Sequence, residues 1–231
     1  MLIAGGNAAA GTVASAELYD PATDTFSATA APMASARVFH TATLLPDGRV
    51  LIAGGVDAGG VDRSPGPARD SAELFDPVTG TFSTIPSPMT AARYEHTATR
   101  LLSGKVLIAG GLDPSGAIVA AAELYDPTAV APAASFTVTG ALVTPRVGHT
   151  AVLLPSGQVL VVGGGSSQGP ILQHAELYDS ASGLFASTGG MHIGRAGHTL
   201  TSLGSSGQVR VAGGDNGNSN EAVLRTAEIY E

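Results

Sequence analysis

The chain has 231 residues, 44% hydrophobic and 13% charged, with a formal net charge of −8, enough for one domain with a sizeable core. That acidic balance argues against general nucleic-acid binding, which needs a basic stripe. With no cysteine, disulfides, thiolate metal sites and cysteine nucleophiles are excluded. No apolar run approaches the ~20 residues of a membrane-spanning helix, so no membrane insertion is expected.

The chain opens on Met1-Leu2-Ile3-Ala4-Gly5-Gly6. It has no basic region and its apolar run is too short for a signal peptide. This start lies inside a repeat, so it is weak evidence against export, and export or a cell-surface place for a longer parent stays open. The block LIAGG at 2–6 returns at 51–55 and 107–111, then as LVVGG at 160–164 and RVAGG at 210–214. Its second glycine advances by 49, 56, 53 and 50 residues, a period that announces a repeat architecture. A second block, AELYD at 16–20, returns at 72–76, 122–126, 175–179 and 227–231. A third carries Arg-x-x-His-Thr, at Arg37/His40, Arg93/His96, Arg146/His149 and Arg195/His198.

One unit reads in order as four strands. Strand A is HTATLL at 40–45, the turn Pro46-Asp47-Gly48 follows, and strand B is RVLIAGG at 49–55. A loop leads to strand C at 71–76, and Pro77-Val78-Thr79-Gly80 turns into strand D from Thr81-Phe82. Short Asp-Gly and Ser-Gly turns are hairpin signals, and the Asp-Pro after strand C presets a turn. The unit is therefore an antiparallel meander. Strand B is apolar at nearly every position, so both faces of the sheet need cover. Stacking the units around an axis supplies it, which makes the fold an all-β propeller of four-stranded antiparallel blades. The double glycine closing strand B implies positive φ or close backbone approach. Nine of the eleven aromatics fall on two repeat positions, Tyr19, Phe75, Tyr125, Tyr178 and Tyr230 on C, and Phe26, Phe82, Phe136 and Phe185 on D. That regularity points to packing between blades. Met33, Met89, Leu142 and Met191, each four residues before the arginine, read as gap-filling core.

These blocks resemble the kelch repeat over the whole chain. The carriers are the double glycine, a Tyr seven residues before an aromatic (Tyr19/Phe26, Tyr178/Phe185) and the Met-x-x-x-Arg joint (Met33/Arg37). The wording at 40–55 is most similar to bacterial kelch proteins and the propeller of the galactose oxidase group. Kelch repeats often carry Trp on strand D; this chain has none, and Phe takes the place. The galactose oxidase resemblance implies a copper centre with a Tyr–Cys crosslink, which a chain without cysteine cannot form, and a kelch sugar-acid epimerase finds no marking residue. No cofactor and no metal are expected.

Five B and five C strands against four A and four D strands give three full blades flanked by two three-strand pieces. The expectation is one domain over 1–231 that is a fragment of a longer propeller. The alternative is a five-bladed ring with an imperfect seam. Glu17, Glu73, Glu123, Glu176 and Glu228 recur on strand C, and a carboxylate between sheets must be paired. Arg37, Arg93, Arg146 and Arg195 are the obvious cations; the competing reading makes them a ring facing an acidic ligand. The four joint histidines read as structural, because a catalytic histidine is needed once. The oxygen-rich loop Asp215–Glu221 could hold calcium but lacks the spaced acidic pattern, and a solvated turn is the preferred reading. No catalytic motif stands out.

The functional expectation is a non-catalytic binding or protein-interaction scaffold, with a carbohydrate-active propeller, lectin or enzyme, as the alternative. In a meander the B–C loops and D–A joints emerge on one side. The B–C loops vary in length while the A–B turns are monotonous, and recognition belongs on elements free to vary. An unknown protein or carbohydrate ligand is expected on that side, with Arg63, Arg69 and Asp215 as contacts.

Overall fold

The computed structural model describes residues 1–9, 11–58, 65–129, 135–166, 169–217 and 223–230. The first sheet holds β1 (Leu2–Ala4), β4 (Ala16–Asp20) and β5 (Thr25–Ala28), with the small hairpin β2 (Asn7–Ala8) and β3 (Gly11–Thr12) in its B–C loop. The second holds β6 (Thr41–Leu44), β7 (Val50–Ala53), β10 (Ala72–Asp76) and β11 (Thr81–Thr84), with the hairpin β8 (Val56–Ala58) and β9 (Pro65–Ala68) in its loop. The third is β12 (Thr97–Arg100), β13 (Val106–Ala109), β14 (Ala122–Tyr125) and β15 (Phe136–Thr139). The fourth is β16 (Thr150–Leu153), β17 (Val159–Val162), β18 (His174–Asp179) and β19 (Leu184–Gly190). The fifth is β20 (Thr199–Ser202), β21 (Val209–Ala212) and β22 (Ala227–Tyr230). These are the five blades of a propeller, three with four strands and two with three. Among the described residues the one helical element is a single 3-10 turn at Gly204–Ser206.

Strand B behaves as its composition requires. Val106–Ala109 and Val159–Val162 are buried at every position, because the third and fourth sheets are covered on both faces. The strand ends one residue before the first glycine in every blade, slightly earlier than the repeat suggests. Two B–C loops carry two-stranded hairpins that the sequence reads as plain loop. The core consists of layers between blades. Leu45, Leu51, Met89, Val106, Ile108, Tyr125 and Phe136 fill one; Leu107, Leu142, Val159, Val161, Tyr178 and Phe185 fill the next. Leu160, Val162, Val209 and Val211 form a third. Strands A of successive blades, β6, β12, β16 and β20, touch one another in sequence and so line the axis.

The double glycine satisfies both of the reasons foreseen for it. Gly54 has φ +65°, and a β-carbon there would lie 2.5 Å from the Arg93 carbonyl oxygen and 2.7 Å from His96 Cε1 of the next blade. Its neighbour Gly55 (φ +91°) donates its N–H to the Arg93 carbonyl at 2.9 Å. The same bond recurs from Gly6 to Arg37, Gly111 to Arg146 and Gly164 to Arg195. The motif is thus where one blade's backbone is bonded to the joint that enters the following blade.

Gly54→Ala should be far more destabilising than Gly48→Ala. Both positions have positive φ, but a β-carbon at Gly48 meets nothing within 4 Å. Thermal and denaturant unfolding should show a loss of about 1 kcal/mol for Gly48→Ala and about 3 kcal/mol or more for Gly54→Ala, where strain and backbone overlap add.

Candidate functional site

The four joint arginines are fully buried, and each meets a strand C glutamate. The pairs are Arg37–Glu73 at 2.7 Å, Arg93–Glu123 at 2.8 Å, Arg146–Glu176 at 2.5 Å and Arg195–Glu228 at 2.9 Å. The second guanidinium nitrogen donates to two carbonyls of the same blade. For Arg93 these are Gly110 at 3.1 Å, at the end of strand B, and Ala121 at 2.7 Å, before strand C. The carboxylate in turn accepts from the joint backbone, Thr90 N–H at 2.6 Å and Ala91 N–H at 3.3 Å. Burial pulls the Arg93 pKa below its ordinary value, and Glu123 opposes that pull. The guanidinium groups are therefore engaged inside the fold, as the paired reading expects. Glu17 is the exception: it is exposed.

The joint histidines tie strands A together near the axis. His96 Nε2 bonds Thr41 Oγ1 at 3.0 Å, His149 bonds Thr97 at 3.0 Å and His198 bonds Thr150 at 2.6 Å. Burial, then the nearby arginine charge, pushes His96 and His149 down to about 3 and His198 to about 4. They are neutral at physiological pH. Among the described residues no group of three His, Cys, Asp or Glu side chains could hold a metal ion.

The face of the B–C loops and D–A joints departs from this regularity. Each joint is bridged to the B–C loop of its own blade, Val38 to Val56, Tyr94 to Leu112, Val147 to Gly165 and Ala196 to Asp215. The next residue along each joint takes positive φ: Phe39 at 57°, Glu95 at 53°, Gly148 and Gly197 at 62°. Two of the four are not glycine. Glu95 N–H donates to the Phe39 carbonyl at 3.1 Å, so these two are bonded neighbours on adjacent blades. Phe39 is 53% exposed. Glu95 is partly buried, and that burial raises its carboxyl pKa.

On the same face a cavity of about 600 Å³ opens between the loops of the fourth and fifth blades. It is lined by Ile171, Gln173, His174, Ile193 and Asn216, among others. His174 Nε2 lies 3.1 Å from Thr144 Oγ1. Of the contacts expected from sequence, Arg69 reaches Asp57 at 3.5 Å at the loop surface. Asp215 is exposed and closes a turn by accepting from Gly217 N–H at 2.6 Å. Arg63, Asn218 and Glu221 lie outside the described residues. The structure does not bring Arg69 and Asp215 to one pocket: neither is among the residues lining the large cavity. Phe39 and Glu95 escape the sequence reading, although they carry a signal: they stand where Gly148 and Gly197 stand in the other joints. The cavity was not, because nothing in the repeat marks its lining.

Two measurements check this account. Arg93→Ala should cost about 3–5 kcal/mol, because it leaves Glu123 buried without its cation, and thermal unfolding reads the loss directly. Acidification should destabilise the fold through His96 and His149. Their folded pKa lies below the ordinary 6.5, so the unfolded chain takes up protons first as pH falls. Their contribution is whole above pH 6.5 and is lost between 6.5 and about 3. Denaturant titrations at pH 8, 6 and 4.5 should show the decline, and His96→Gln should flatten it.

No protein-family model matches the chain, and no curated protein matches it. Among solved structures it is similar to the structure of YjhT, with a TM-score of 0.80 at 12% identity, over 100% of this chain and 80% of that one. At that identity the likeness establishes the propeller fold.

Proposed function

We propose that this chain is a kelch-type propeller serving as a non-catalytic binding scaffold, and that a protein partner docks on the face made by the B–C loops and D–A joints. The observation that carries the reading is the pair Phe39 and Glu95. A non-glycine residue in the left-handed region costs about 1–2 kcal/mol, and the equivalent Gly148 and Gly197 show that the fold accepts glycine there. Strain of this kind concentrates where function over-determines the conformation. The two aromatics outside the repeat positions, Phe39 and Tyr94, both lie in joints on this face; Tyr94 is buried against Val56 and Ala68, whereas Phe39 is 53% exposed. The large cavity opens on the same side and falls within the range of a ligand pocket. Arg69 and Asp215 on other loops of this face, with Arg63, are the proposed polar contacts, and the buried joint arginines hold those loops in place.

Phe39→Gly and Glu95→Gly test the reading. Replacing a strained residue by glycine removes the strain at a smaller cost in chain entropy. Both variants should keep their stability or gain up to about 1 kcal/mol. Affinity for a partner identified by capture on the immobilised chain should fall at least tenfold. Replacing loop 56–71 by a short Gly-Ser turn should weaken the same partner. Unchanged affinity in all three variants, with loss on altering the A–B turns, would place the site on the opposite face.

A further inference from the structure

The joint residues that precede the histidines form a row on the loop face, Phe39, Glu95, Gly148 and Gly197. Glu95 N–H bonds the Phe39 carbonyl at 3.1 Å, and Gly197 N–H bonds the Gly148 carbonyl at 2.8 Å. Strands β12 and β16 touch, so Gly148 follows Glu95 in the row. The row is furnished unevenly. A β-carbon at Gly148 would meet only Ala196 and Gly197, at 3.8 and 3.9 Å, and one at Gly197 would meet nothing within 4 Å. Two side chains therefore stand beside two bare positions, which leaves a notch next to Glu95.

Glu95 is a carboxylate that the fold does not use. The buried glutamates Glu73, Glu123 and Glu176 each hold an arginine. The Glu95 carboxylate is partly buried, yet among the described residues it accepts no hydrogen bond and pairs with no cation. Burial raises its pKa, and no nearby charge offsets that rise. A carboxylate drawn from water without a partner costs stability. A cation brought against it recovers that cost, whereas an anion or an apolar group does not. Phe39, 53% exposed on the adjacent blade, adds a ring whose face attracts the same cation. The net charge of −8 favours encounter with a basic partner.

We infer that the notch beside Phe39 and Glu95 receives a basic side chain, lysine or arginine, from the protein partner that docks on the loop face. The inference rests on that docking reading and names the group recognised. A free amine would need an enclosed pocket to hold it. The bare Gly148 and Gly197 leave the notch open on one side, so the cation must arrive on a surface that covers it.

The test titrates the full isotope-labelled chain with capped peptides Gly-Ser-Xaa-Ser-Gly, in which Xaa is lysine, arginine or norleucine. NMR follows the Glu95 carboxyl and Phe39 ring signals. The lysine and arginine peptides should move both signals saturably and bind at least tenfold more tightly than the norleucine peptide. Glu95→Gln keeps the size and the backbone strain and removes the charge, so it should abolish that preference without loss of thermal stability. Equal affinity for the norleucine peptide overturns the inference, and so does an unchanged preference in Glu95→Gln. Binding of n-butylamine as tight as that of the lysine peptide would assign the notch to a free amine and overturn it as well. The docking reading itself falls on a different result, a captured partner indifferent to Phe39→Gly, Glu95→Gly and the replacement of loop 56–71.

Discussion

The fold depends on a buried guanidinium in each joint. A propeller blade is a sheet whose two faces are apolar, and apolar layers alone fix neither the rotation nor the height of one blade against the next. Arg93 fixes both. It holds the carbonyl end of strand B, the backbone before strand C and the Glu123 carboxylate, while Glu123 grips the joint through Thr90 and Ala91. A charge with no access to water must have such partners. The arginine thus converts a non-directional layer into one with a defined register.

That constraint explains the neighbouring residues. The arginine carbonyl accepts the N–H of the second glycine of the previous blade, and the first glycine must be bare because the same carbonyl and the histidine ring press on it. The histidine then bonds the threonine that opens strand A one blade earlier. Glycine pair, arginine, histidine, threonine and glutamate are parts of one hydrogen-bonded unit that spans two blades. They recur together in the sequence because removing any one leaves a buried polar atom or a clash.

This coupling also sets what could be read from sequence. The order of strands, the three full and two three-stranded sheets and the Arg–Glu pairing were legible, because each rests on contacts that recur from blade to blade. The hairpins β2–β3 and β8–β9 were not, since they sit in loops whose pairing depends on local register and lacks a periodic signal. The cavity around Ile171, Gln173 and His174 was hidden for a different reason. It is formed between two loops of unequal length, and its shape follows from their relative placement. Glu17 marks the limit of repeat reasoning: it has the residue type of Glu73 and Glu123 but is exposed, because its environment comes from a neighbour and not from its own blade.

The same logic bounds what the loop face can vary. On the loop face, variation is tolerated only one step away from the structural unit. Val38, Tyr94, Val147 and Ala196 bridge to the B–C loops through backbone, and Val38 and Tyr94 also pack against Val56 and Ala68, whereas the following positive-φ residue can be glycine, Phe39 or Glu95. Recognition there is bounded by conformational strain. A loop face of this kind can diversify without disturbing the blades, because the arginine, glycine and histidine that set the register lie one step further inside.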